Sequence, residues 1–340
     1  LALDPIAAPQ ETAGKPQRTR HPIVGLVGLT VGLGVVLVLL LMVFIMPSLK
    51  SGPNQLPVGI VGSTAAVASW DDALEQASPA GYDLSTYASE AELVEAIENR
   101  EIVGGIALAE DEVRVSVASA GSAVISGTIA TTAQAIASAS GVPVTVTDVV
   151  PLPAADPSGL GIGGLAFPLV FGGIVPAVAF RSVFKRSLGW AIAGISIFSV
   201  VGGVLVASVL QFLFGSIDGA AFWPVAAAMA LGIAGLAIPL AGLKEAVGGA
   251  GFTIGAASMM FLGNPFAGIS TSAAWLPEGL GLFGQLLPPG AAGTLVRSAA
   301  YFDWTGGAGA AVTLGLWVAA GVVLLIVGAK RNRAKAVAAD

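Results

Sequence analysis

Chemistry in this chain would have to come from few side chains, and carboxylates are the most numerous of them. Fourteen of the 21 acids fall between residues 47 and 159, including Asp71–Asp72 and Glu110–Asp111–Glu112. Paired carboxylates can share general acid and base work when burial or a like charge separates their pKa values. Here the acids fall on helix faces and in a turn, where runs of charge are solvated surface. No GxSxG or HExxH motif is present. The one SxxK, Ser182 to Lys185, lacks the SDN and KTG partners that would complete a nucleophilic site. There is no cysteine, hence no disulfide, thiolate ligand or thiol nucleophile, and the single His21 cannot form a metal site alone. A phosphate-binding loop needs GxxxxGK[ST]. Only Lys50 is followed by a serine, and Leu49 precedes it. The residues therefore point to no catalytic, cofactor-binding or metal-ligating set, and to a protein that is not an enzyme. Basic residues cluster at the flanks of apolar runs, which argues against nucleic-acid binding.

The elements around these residues are mostly apolar. The chain is 55% hydrophobic and 11% charged, against about a quarter charged in soluble domains. Residues 1–22 are polar and proline-containing and read as a disordered cytoplasmic tail, with Lys15, Arg18 and Arg20 before the first span. Residues 23–46 form an uncharged run long enough to cross a bilayer, read as an uncleaved signal anchor. Five further spans are expected within a membrane domain at 160–329: 160–180, 188–214, 222–243, 247–262 and 308–328. Arg181, Lys185, Arg186 and Lys244 lie at alternate junctions, and a basic tail follows at 330–340. The positive-inside rule then places both termini in the cytoplasm of a multi-pass plasma-membrane protein, and residues 47–159 outside. The six span cores hold essentially no ionisable group, which disfavours ion-coupled transport.

Residues 47–159 are of another kind, with fourteen acids against three bases. Their periodicity predicts β-α-β-α-β-β-α-β, a small extracytoplasmic α/β domain inserted between helices 1 and 2. Its clearest helix is SEAELVEAIENRE, with Ser89 as N-cap and Leu93, Val94 and Ile97 as the apolar stripe. Glu245, beside Lys244, reads as part of a solvated turn.

Two segments carry the candidate functional residues. FRSVFKRSLGW, between the second and third spans, is a short basic amphipathic segment. It reads either as an ordinary positive-inside loop or as a docking element for a partner that supplies energy, through Arg181, Phe184, Lys185 and Arg186. The stretch 263–304 is apolar yet holds prolines at 265, 277, 288 and 289. Such a segment is no single lipid-facing helix, because unpaired backbone amides in hydrocarbon cost several kcal/mol. It reads as a broken, re-entrant stretch, with Asn264, Pro265, Pro288, Pro289, Arg297 and Asp303 as an outer gate. Arg297 would snorkel to the interface, or pair with Asp303 or Glu278 and fix the broken helix.

The layout is one span, a small α/β domain, five spans, and a glycine- and proline-rich stretch before the last. With EAIENREIVGGIAL, VTDVVPLPAADPSG, GNPFAG and LPPGAAGTLVRSAAYFD, it resembles ABC-2 type exporter permeases, in the branch of the YhgE/Pip (phage infection protein) group of actinobacterial type. The resemblance covers residue 23 to the end. It implies a homodimeric six-helix permease among membrane lipids, with a separate ABC ATPase docked between spans two and three. Export of a lipid-like or amphiphilic substrate would follow, with 263–304 closing the outer gate. The outer domain is smaller than is usual in that group. The other reading is a receptor or secretion-accessory scaffold, in which the outer domain binds a partner and nothing is transported.

Overall fold

The computed structural model describes residues 22–185 and 187–338. The expected tail, with His21, Lys15, Arg18 and Arg20, lies outside the described residues, as does Arg186. Contacts divide the chain into two units, 1–42 and 43–340, and each is treated by itself. The first contributes most of helix α1 (Pro22–Lys50), uncharged until Lys50.

The second unit opens with the end of α1 and then an α/β region. The eight elements form in the order that the periodicity predicts: β1 (Leu56–Val61), α2 (Thr64–Ala77), β2 (Tyr82–Thr86), α3 (Glu90–Glu98), β3 (Gly104–Leu108), β4 (Val113–Val117), α4 (Ala123–Ala139) and β5 (Val144–Asp148). The sheet order is β2-β1-β3-β4-β5. All pairs are parallel except the β3–β4 hairpin. Inward-pointing Leu56, Val58, Ile60, Val113, Val115 and Val117 pack with Ile125 and Ile129 of α4 and Leu74 of α2.

Helix α3 begins as expected: Ser89 Oγ accepts from the Glu92 amide at 3.2 Å. It buries Leu93, Ala96 and Ile97, with Val94 at the edge. Gly104 and Gly105 are explained by this packing. A Cβ on Gly104 would meet Ile129 Cδ1 at 2.9 Å, and one on Gly105 would meet the Leu93 side chain, so helices crowd β3 from two sides. Leu93 is fully buried. Leu93→Ala should therefore lower the local stability of this region by about 2–5 kcal/mol. Faster amide hydrogen exchange in β1 and β3, with α8 unchanged, would register it; uniform protection would refute it.

The rest is helical: α5 (Leu160–Gly163), α6 (Ala166–Val183), α7 (Leu188–Ser208), α8 (Phe222–Val247), α9 (Gly249–Ser258), α10 (Leu280–Leu286), α11 (Pro288–Tyr301) and α12 (Ala308–Val337). Five helical segments among the described residues are long and apolar enough to cross a membrane: Leu26–Lys50, Leu160–Val183, Leu188–Leu213, Phe222–Val247 and Ala308–Lys335. The protein is thus predominantly helical, of multi-pass character, with a β-sheet region between the first two of these segments. The segment expected as span five differs. Gly248, at φ 89°, ends α8, and the following helix closes in a π-helical turn at Met259–Gly263. Its fifteen residues, Gly249–Gly263, reach only about 22 Å, short of a hydrocarbon core of about 30 Å. The residues read as a separate basic tail, from Lys330 on, instead continue α12 as far as Val337.

Helix α8 is the hub. It packs against α6, α7, α11 and α12, and Val225, Met229, Ile233 and Leu236 lie in the main buried cluster.

Candidate functional site

The stretch after α9 is broken as the prolines require. A 3₁₀ turn, Ala273–Trp275, precedes α10, and Gly279 at φ 77° sits between them. Pro288 and Pro289 open α11 at its first two positions. The missing amide hydrogens there have no intrahelical acceptor in any case, so α11 starts without loss. Helix α11 is buried along nearly its whole length, including Pro288, Pro289, Leu295, Val296 and Arg297.

This stretch joins the α/β region directly. Phe302, just past α11, is buried with Leu93, Ile97, Ile102 and Ala118. The Gly52 amide donates to the Trp275 carbonyl at 3.2 Å. Arg100 follows α3 in left-handed backbone, φ 58°. Its guanidinium lies 4.8 Å from the Phe302 ring centroid and donates to the Thr305 carbonyl at 3.5 Å.

A cavity of about 320 Å³ opens where the two parts meet. Arg100, Ser122, Gln285, Thr294 and Arg297 line it, with Ile97, Ile102 and Ile125 among its apolar walls. Arg297 is 9% exposed and donates from Nη2 to the Ile269 carbonyl at 2.6 Å. It pairs with neither Asp303 nor Glu278, which are both exposed. The alternative in which an ion pair fixes the broken helix is thereby corrected: Arg297 is anchored to a backbone carbonyl. Nor does it snorkel, being buried. Burial, and then the nearby charge of Arg100, bring the Arg297 pKa down to about 10, which leaves it a cation at neutral pH. Burial lowers Arg100 too. Asp156 is buried, but its carboxylate accepts from the Leu160 and Gly161 amides, each at 2.8 Å.

A second cavity, of about 420 Å³, is lined by Phe44, Ser48, Phe167, Asn264, Pro265 and Ser270, among others, and by no charged residue. The residues expected as one gate are therefore dispersed. Asn264 and Pro265 face this neutral cavity, and Arg297 faces the other. Pro288 and Pro289 start a helix; Asp303 is an exposed turn residue at φ 45°.

The basic segment is equally divided. Only residues 184–187 separate α6 from α7. Arg181 forms an ion pair with Glu245, the two side chains being 13% and 12% exposed, and donates to the Phe184 carbonyl at 3.1 Å. Phe184 stacks between Phe180 and Trp190. Lys185 is exposed. Glu245 was expected in a solvated turn; it is instead half-buried in this ion pair and also accepts from Asn332 Nδ2 at 3.2 Å. Arg331 donates to the Ala246 carbonyl. The basic ends of α6, α8 and α12 are thus tied together. The sequence misplaced Glu245 in a solvated turn and did not single out Arg100, since neither local spacing nor residue type announces a partner 64 or 205 positions away.

Comparison with known proteins finds no matching family model and no similar curated protein or solved structure.

Proposed function

We propose that this chain is the membrane permease subunit of an ABC-2-like exporter, moving an amphiphilic or lipid-like substrate outward with energy from a separate ATPase. In this reading six segments enter the bilayer, Gly249–Gly263 being the short one. Both termini are cytoplasmic, residues 47–159 are extracytoplasmic, and two copies assemble in the plasma membrane. The observation that carries it is the broken stretch from Gly263 to Trp304. It is packed between the apolar bundle and the α/β region, so movement of the bundle would reach an outward-facing element. The tied ends of α6, α8 and α12 give a force applied near Lys185 a rigid route into α8.

Lys185, not Arg181, is the residue with which to test docking, because Arg181 is occupied by Glu245. Lys185→Glu should reduce copurification of an ATPase subunit by about tenfold, as expected for reversing an interfacial charge, while the thermal midpoint stays the same. Export that persists in vesicles without any ATPase would overturn the reading. The α/β region also supports a second reading, a receptor or scaffold. Exposed Glu95 and Glu98 line one face of α3 with Glu90, an acidic surface suited to a basic partner. In that case deletion of 54–155 would abolish partner binding, and no transport would be found in the intact chain.

A further inference from the structure

We propose that the cavity between the α/β region and α11 is a binding site for an oxyanion of the phosphate class, held by Arg100 and Arg297. The inference stands on the cavity alone and is independent of export.

Three observations converge on it. First, two guanidiniums line a cavity with no carboxylate in its wall. Arg297 is nine-tenths buried, and a buried cation without a counter-charge is unfavourable unless something supplies one. The one buried carboxylate among the described residues, Asp156, is already capping a helix. Second, the guanidiniums are held but not satisfied. Each donates one hydrogen bond among the described residues, both to backbone carbonyls, although a guanidinium has five donors. The carbonyls orient the groups without neutralising them. A planar fork with free donors matches the oxygens of phosphate. Third, Arg100 occupies left-handed backbone at φ 58°, directly after the α3 cap residue Asn99. Glycine is the usual residue there. An arginine in that conformation is strained, and strain of this kind collects where a ligand is held. In this conformation its guanidinium comes over Phe302 at the cavity wall.

The like charges of the two arginines also act on each other, since Arg100 lowers the pKa of Arg297. An anion between them would relieve that repulsion. The N-terminus of α4, capped by Ser122, forms part of the same wall and adds partial positive charge. Ile97, Ile102 and Ile125 provide an apolar side, which would accommodate the non-polar part of an amphiphile. A volume of about 320 Å³ is at the lower end of small-molecule sites. The shared chemistry is the oxyanion; its source is either an anionic lipid headgroup or a free phosphate compound.

The test uses the full chain, purified in neutral detergent, with thermal midpoints measured against added phosphatidylglycerol, phosphatidylcholine and inorganic phosphate. Ligand that binds the folded state raises the midpoint. The variants are Arg100→Gly and Arg297→Gln. Arg100→Gly removes the charge and the backbone strain together with the contacts to Phe302 and Thr305, so each ligand-induced shift is read against the variant's own ligand-free midpoint. The variant's affinity for the anion should fall at least about tenfold, the loss expected when one of two charged donors to a buried anion is removed. Arg297→Gln should do the same. A shift with phosphatidylglycerol, absent with phosphatidylcholine and abolished in Arg100→Gly, supports the site and assigns a lipid. A shift with inorganic phosphate alone, also lost in Arg100→Gly, supports it and assigns a soluble source. Absence of any anion-dependent shift in the unaltered chain, or an equal shift in Arg100→Gly, overturns the proposal.

Discussion

Replacing Glu245 by alanine is expected to destabilise the protein by about 3–5 kcal/mol. The carboxylate and its partner Arg181 are both largely shielded, so removing one leaves the other with little access to water in its place. The same substitution removes one of two acceptors for Asn332 Nδ2, the carboxylate, and leaves the Glu245 backbone carbonyl to hold α12 to α8. Equilibrium unfolding in mixed micelles would measure the loss, and a change below about 1 kcal/mol, typical of an exposed pair, would show that the ion pair is not a closed one. The double replacement Arg181→Met, Glu245→Leu separates two causes. It removes both charges and keeps the volume, and for a buried pair it should recover most of the stability. If the double variant is as unstable as the single one, the fault lies in packing and not in an uncompensated charge.

Gly321 is expected to be the least replaceable small residue at the crossing of α12 and α8. A Cβ there would stand 2.5–2.7 Å from the backbone atoms Pro239 N, Ile238 C and Pro239 Cα. Opposite it, a Cβ on Gly242 would meet the Gly321 carbonyl at 2.6 Å. The atoms in the way are backbone, so no rotamer can move aside and the helices must separate. Apolar helices associate in lipid through close packing of this sort, because burial of apolar surface offers little drive there. Gly321→Ala should cost about 1–3 kcal/mol, the range for overpacking, and Gly321→Leu should prevent recovery of folded protein. Gly315 is the control: it lies on the same helix with nothing within 4 Å of its Cβ position. Gly315→Ala should be neutral, or stabilising by up to about 1 kcal/mol through helix propensity. Equal losses at both positions would rule out a tight crossing at Gly321.

Both predictions concern contacts that link distant parts of the chain, and these were the least legible in the sequence. Local elements were readable because their causes are local. Ser89 caps α3 by reaching an amide three residues on. The alternation of EVRVSV holds in β4 for Val113, Val115 and Val117, which are buried, and for exposed Arg114, while Ser116 is buried as well. The apolar runs form helices because a backbone without water must bond to itself. The short helix after Gly248 was the exception. Its composition is that of a span, already short at 247–262, and the structure adds the positive-φ break before it and the π-helical close.

The candidate site was legible only in outline. The prolines of 263–304 announced a broken stretch, and Arg297 stood out as the one base in it. What Arg297 faces was not announced, and the acids near it in sequence misled, because Glu278 and Asp303 are turned to the surface. Its companion Arg100 lies on a different element 197 positions earlier, at a helix end where an arginine looks like ordinary solvated charge.

The sequence by itself thus determined the apolar helices, the eight α/β elements and their order, and the break at 263–304. Each follows from hydropathy, periodicity, capping and proline chemistry acting over a few residues. Only the tertiary structure decided that Glu245 closes onto Arg181, that α12 seats Gly321 on α8, and that Arg100 and Arg297 share one cavity. Those outcomes depend on which surfaces come to lie together when the apolar faces are buried, and side-chain type alone does not encode the partner across so long a loop.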